Sequence, residues 1–158
     1  MEPRIENHRL EQRIRASLEN LVFALGEVAG ADRSSLFVVD EERAELRLAI
    51  AKTDGMPLEF CMPRGRGVAG LAWERGAPIL VDDAYSFPHF NREIDAISGY
   101  RTRSLLCIPV RGSTGRVSAV VELLNAIDRP GFSEEDVEEI RELEPELSAL
   151  LGACGSNA

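Results

Sequence analysis

Cysteine, histidine and lysine are all scarce in this sequence, and each scarcity closes a route. The three cysteines, Cys61, Cys107 and Cys154, lie 46 and 47 residues apart. An odd count with no C-x-x-C spacing sets up neither a disulfide framework nor a zinc site. A reducing cytoplasm is the simplest compartment for such a chain. The two histidines, His8 and His89, sit far apart. H-E-x-x-H, G-x-S-x-G and Walker loops are missing, so no metal, cofactor or hydrolytic chemistry is expected. Apolar runs are short: 105–110 is typical and cannot span a bilayer. The first residues contain no apolar core of a secretory signal. Lysine occurs once, at Lys52, so arginine supplies 17 of the 18 basic residues.

What is present suits one folded domain covering 1–158. The chain has 158 residues, 44% hydrophobic and 28% charged, enough to bury a core unaided. Its net charge is −9, and residues 133–146 alone carry −7, from eight acids against Arg141. The remainder is nearly balanced. Without a net positive surface to release counterions, nucleic acid polymers are excluded as natural partners. The acidic segment itself reads as the solvated face of a helix.

Leu10, Ile14, Leu18, Leu21, Leu25 and Val28 recur at three and four, which predicts a helix over 5–29 with Gly30 as its stop. Residues 34–39 and 45–51 predict a hairpin, 53–57 a turn, and 59–62 a short strand. The glycine-rich loop 63–67 leads into a short helix over 68–74, and 78–81 is a strand. A long polar connection follows, 82–102, of a length usually kept for function. Strands over 103–110 and 116–124 predict a central hairpin. Ser133 and Asp136 stand at capping-box spacing before a final helix, with Val137, Ile140, Leu143, Leu147 and Leu150 on its apolar face. Pro145 predicts a break near Glu144, and 152–158 is expected to fray. The expected fold class is α+β: a central antiparallel sheet, with the terminal helices on one face and the short helix and long connection, as a lid, on the other.

Arg64, Arg66, Arg92, Arg101 and Arg103 flank the glycine loop and the long connection. Glycines before a helix let backbone N–H groups approach an anion at the positive end of the dipole. Asn91, Asp95, Thr102 and the nearby aromatics would add polar and stacking partners, so a small anionic nucleotide fits the composition of this region. His8 reads as a surface residue and His89 as a loop residue. Cys61 and Cys107 read as core. Glu122 stands between Val121 and Leu123, where a charge needs a reason.

The stretch Ile79-Leu80-Val81-Asp82-Asp83-Ala84-Tyr85, then Phe90-Asn91-Arg92, Asp95 and Gly99-Tyr100-Arg101-Thr102-Arg103-Ser104-Leu105-Leu106-Cys107-Ile108-Pro109-Val110 resembles the cyclic-nucleotide-binding GAF domains of phosphodiesterases and of some bacterial adenylate cyclases. The resemblance covers about residues 10–150. Asn125, Phe132 and Asp136 match the family's N-K-(spacer)-F-x-x-x-D-E signature, while Ala126 and Val137 replace its Lys and final Glu. The loss of that Lys implies that Asp136 has lost its ion-pair partner and serves as a helix cap. The resemblance further implies a binding site for cAMP or cGMP. Ser35 and Glu122 would contact the base, Val68 and Ala69 would offer backbone N–H groups to the cyclic phosphate, and Asn91, Asp95 and Thr102 would reach the ligand from the lid. Lys52 and Asp54 lie in a part of the match too gapped to assign.

The function so implied is a cytoplasmic, non-catalytic regulatory sensor that signals through its terminal helices and pairs through them as a parallel homodimer. Leu10, Ile14, Leu18 and Leu150 or Leu151 are expected near its axis. Three alternatives compete. One is a ligand-free dimerisation module. Another is an enzyme like the free methionine sulfoxide reductases, which resemble this chain in size but keep catalytic cysteines in the glycine loop and the lid. Here Ala69 takes the glycine-loop position, and 82–102 holds no cysteine. The last is a chromophore-binding variant, which would lack an attachment cysteine in the lid.

Overall fold

A computed structural model describes residues 2–51 and 60–155, with side chains described for 6–51 and 60–154. The turn expected at 53–57, the start of the strand expected at 59–62, Lys52 and Asp54 lie outside the described residues. Helix α1 spans Glu2–Val28, and strands β1 (Ala31–Asp40), β2 (Glu45–Ala51) and β3 (Cys61–Pro63) follow. Next come helix α2 (Gly67–Arg75), strand β4 (Ile79–Val81) and helix α3 (Glu93–Ser98). Strands β5 (Leu105–Arg111) and β6 (Val117–Ala126) precede helices α4 (Glu134–Glu142) and α5 (Glu144–Gly155).

The six strands form one antiparallel sheet in the order β3-β2-β1-β6-β5-β4. Pro109 is tolerated inside β5 because β4 pairs only with 105–107, so that Pro109 lies on the open side of its strand.

Strand alternation splits the sheet into two faces. Leu36, Leu106, Ile108, Val110, Ala119, Val121 and Leu123 meet Leu18, Val22 and Leu25 of α1, Ile140 of α4 and Leu147 of α5. The other face packs Phe37, Leu105, Cys107 and Val120 against Val68, Ala69, Leu71, Ala72 and Trp73 of α2. Terminal helices on one face and short helix plus lid on the other is the arrangement expected from sequence.

Four expectations change. The connection 82–102 is not all loop: it contains a single 3-10 turn at Ala84–Ser86 and the six-residue α3. Helix α5 runs on to Gly155 instead of fraying from residue 152, because Leu147, Leu150 and Leu151 hold it to the core. Residues 156–158 lie outside the described residues. Cys61 is exposed, not core; β3 is an edge strand and turns Met62 inward between two exposed neighbours. Leu18 is buried in the chain's own core, so it is unavailable to a dimer axis. The break near Glu144 falls at Leu143, with Pro145 in the first turn of α5, where its missing N–H costs little.

Candidate functional site

On the lid face, a cavity opens between β1, β6 and β5 below and α2, α3 and the lid above. Ser35, Val68, Asn91, Asp95, Thr102 and Glu122 line it, together with Arg33, Met62, Gly67 and Tyr100. Six of the seven ligand residues read from the sequence thus converge. Ala69 does not line the cavity: one residue further round α2 than Val68, it is fully buried in the apolar cluster on the sheet.

The floor is set by register. Glu122 of β6 lies opposite Ser35 of β1 on one side and opposite Cys107 of β5 on the other. It shares a face with Val120 and Leu124, so its carboxylate points toward the cavity and away from the terminal helices. The Cys107 thiol donates to Glu122 Oε2 at 3.4 Å, a weak bond. Among the described residues no cation pairs with Glu122. Burial therefore raises its pKa, and the nearby Asp95 charge adds to the effect despite the thiol's opposing hydrogen bond, to about 7. Burial also pushes the Cys107 thiol well up, with the Glu122 charge adding to it. Cys107 is thus core, as expected, but it also serves the floor residue.

The wall beside α2 depends on a glycine. Gly67 has φ +69°, and a Cβ there would come within 2.8 Å of Met62 Sδ. Arg66 at the N-cap makes no side-chain cap, so the N-cap side chain leaves the first-turn N–H groups of α2 free of that partner. Next to the cavity, an open groove runs between the glycine loop and the lid, lined by Arg64, Arg66, His89 and Glu93. It shares Gly67, Phe90 and Asn91 with the cavity.

The lid is pinned internally. The Asp95 carboxylate accepts from the Thr102 N–H and hydroxyl, both at 2.8 Å, and from the Tyr85 hydroxyl at 2.6 Å. Asp95 and Thr102 thus already satisfy each other, and they fasten α3 to the start of β5. Asn91 Oδ1 accepts the Glu93 N–H at 3.0 Å and opens α3. Tyr85 lies under Arg101 and Arg92, whose guanidiniums sit 4.2 and 4.9 Å from its ring centre.

A second clamp uses the signature residues. Asn125, at φ +55°, accepts from the N–H groups of Arg103 and Ser104 and donates to Tyr100 Oη and to the Arg101 carbonyl. Tyr100 in turn donates to Asp32 at 2.7 Å, and Arg33 stacks on its ring at 3.9 Å. Arg33 and Tyr100 were not among the residues chosen from sequence. Arg33 is two residues before Ser35, so strand alternation alone places both on one face.

Asp136 has not lost its partner. Arg129 Nη1 lies 2.8 Å from its carboxylate, and Arg129 Nη2 donates to the Ala29 carbonyl at the end of α1. The cation has moved three residues along the chain from the signature position at Ala126. The Ser133 N–H also donates to Asp136, at 2.7 Å. Burial raises the Asp136 carboxyl, but these bonds outweigh it and hold its pKa below the usual value. Phe132 is buried beneath the Arg129 guanidinium.

Among the described residues, no three His, Cys, Asp or Glu side chains come together as a metal site. No helix there is long and apolar enough to cross a membrane.

Comparison with known proteins agrees with this architecture. The chain is 41% identical, over 91 residues, to the dual 3',5'-cyclic-AMP and -GMP phosphodiesterase 11 of Drosophila melanogaster. That match takes in 58% of this chain and only 6% of the relative's length. The fold is similar to the GAF domain of a phosphoenolpyruvate-protein phosphotransferase from Coxiella burnetii, with TM-score 0.78 at 22% identity over 97% of this chain and 95% of that one. It is also similar to free methionine-R-sulfoxide reductase from Neisseria meningitidis, solved in complex with its substrate, with TM-score 0.72 at 25% identity over 96% and 89% of the two chains. The sequence model of the GAF domain matches residues 13–143, and with that extent of match the chain belongs to the GAF domain family.

Proposed function

We propose that this GAF domain is a regulatory sensor that binds a cyclic nucleotide, cAMP or cGMP, between its sheet and its lid. The observation that carries the reading is the floor of the cavity: a half-buried carboxylate, Glu122, with no cation paired to it among the described residues and facing whatever enters. A buried charge without a partner is costly, and a purine edge bearing N–H donors would satisfy it. Ser35 stands beside it for the base. Gly67 and Val68 bring the uncapped start of α2 alongside for the phosphate, and Asn91 reaches in from the lid. The relative named for cAMP and cGMP supports the same reading.

One observation favours a ligand-free dimerisation module instead. The cavity has a volume of only about 40 Å³, room for roughly a few waters. A nucleotide would have to lift the lid. The reductase reading has less support: Cys61 and Cys154 are exposed, neither lines the cavity, and Cys107 is buried with its thiol held protonated.

The output is proposed to run through α1 and α5, in the cytoplasm and in a parallel homodimer. The N-terminal half of α1 supports the pairing, with Leu10 56% exposed and Ile14 half-buried, as are Leu150 and Leu151 on α5.

One set of samples tests all of this. Titration calorimetry with cAMP and cGMP is expected to show binding at micromolar affinity or better, weakened in Glu122→Ala by about 1.5–3 kcal/mol. Sedimentation of the same samples is expected to show a dimer that Ile14→Glu dissociates. No heat with either nucleotide, with the dimer intact, selects the ligand-free module. A monomer throughout discards the pairing.

A further inference from the structure

We infer, on the reading just given, that the proton on Glu122 selects which purine edge the cavity accepts. The ionised carboxylate takes an edge with two adjacent N–H donors, of the guanine type. The neutral acid takes an edge with one donor and one acceptor, of the adenine type.

The geometry leads there step by step. Glu122 stands on β6, one of the two middle strands of the sheet, between Ser35 and Cys107, and faces the cavity. Among the described residues, the one hydrogen bond to its carboxylate is the long one from the Cys107 thiol, so both carboxylate oxygens keep capacity for a ligand. The groups around it do not fix its charge. From β1, Arg33 lines the cavity with its guanidinium over the Tyr100 ring, and among the described residues it makes no ion pair with Glu122. From the lid, Asp95 adds a second negative charge, and the Tyr100 hydroxyl donates its hydrogen bond to Asp32. From β5 comes only the high-pKa thiol of Cys107. Helix α2 and strand β3 contribute Gly67, Val68 and Met62, which carry no charge. With no cation to hold it ionised and one carboxylate to oppose it, Glu122 is balanced between its two forms near neutrality.

The two forms differ in what they can recognise. A carboxylate is acceptor-only and pairs bidentately with two parallel donors; a carboxylic acid offers one donor and one acceptor. The Watson–Crick edge of guanine presents N1–H and N2–H₂, both donors. That of adenine presents the N6–H₂ donor and the N1 acceptor. A site that must leave a buried polar group unpaired with the wrong edge rejects it strongly.

The sign follows from linkage. A ligand that requires the carboxylate loses affinity as pH falls through about 7, and one that requires the acid loses affinity as pH rises through it. The test is calorimetry of the wild-type chain with cGMP and with cAMP at pH 6 and pH 8. Between pH 8 and pH 6, cGMP is expected to weaken about tenfold and cAMP to tighten about tenfold, the change in ionised or neutral fraction across a pKa near 7. Ribose and cyclic phosphate are common to both ligands, so any contribution of His89 at the mouth cancels in the ratio. Glu122→Gln carries a fixed donor and acceptor. It is expected to prefer cAMP at both pH values and to flatten the dependence. A wild-type ratio that stays constant while both nucleotides bind overturns this inference and leaves the sensor reading standing. Binding of neither nucleotide at either pH overturns both.

Discussion

The two faces of the sheet, built from alternate residues of the same strands, both carry apolar cores, but only one also encloses a polar cavity. Toward α1, α4 and α5, Leu36, Leu106, Val121 and Leu123 are completely buried among apolar side chains. Toward the lid, the equivalent positions include Ser35 and Glu122, around a space that is not filled. One face is apolar throughout its buried cluster. The other has an apolar cluster of its own against α2, but beside it leaves a carboxylate with no cation paired to it among the described residues, under a lid pinned by hydrogen bonds. Both faces contribute to stability, and only the second keeps a gap in which selectivity could reside. A strand can serve both because its side chains alternate.

That division can be broken in three places, in decreasing order of effect. Leu25→Ala on the helix face should cost about 2–5 kcal/mol, since Leu25 is fully buried and its neighbours relax only partly. Urea unfolding reads this, and a cost below 1 kcal/mol would mean the helix face is not the stability core. Asp95→Ala in the lid should cost less, about 1.5–3 kcal/mol, by orphaning the Thr102 N–H and hydroxyl. Amide exchange should quicken across 93–102 and stay unchanged in α1. The smallest effect should also have the opposite sign. The folded-state pKa of Glu122 lies above its ordinary 4.5, at about 7. Its contribution is therefore fully present below pH 4.5 and is lost as pH rises through 7. Glu122→Gln should be neutral near pH 4 and stabilising near pH 8 by about 1–2 kcal/mol, after allowing for solvent reaching the carboxylate through the cavity. Melting curves at the two pH values check it, and a destabilised variant at pH 8 would show that the carboxylate is paired after all.

The helix face was legible in the sequence because period-3.6 and period-2 patterns report burial directly. Leu18, Leu25, Ile140 and Leu147 all fall on predicted stripes and all are buried. Glu122 was legible for the opposite reason, a charge in an apolar run. Helix α3 was not, since six residues are too few to establish a period. Cys61 was misplaced because nothing local to it tells an edge strand from an inner one. Arg33 was missed although its alternation with Ser35 was available, because the strand is predicted only from residue 34 while β1 begins at Ala31. The internal bonding of Asp95 and Thr102 depends on a seven-residue return of the chain, which neither residue announces.

Arg129 bears on how the family signature should be read. By letter, the lysine of the motif is absent at Ala126. In space, its job is done by a guanidinium three residues later, which reaches both the head of α4 at Asp136 and the tail of α1 at Ala29. The motif is therefore better described as a junction than as a string: one cation, one carboxylate and the carbonyl end of a helix meeting at a corner. Because the same guanidinium bonds both the end of α1 and the head of α4, one side chain ties together two helices that lie a hundred residues apart in sequence.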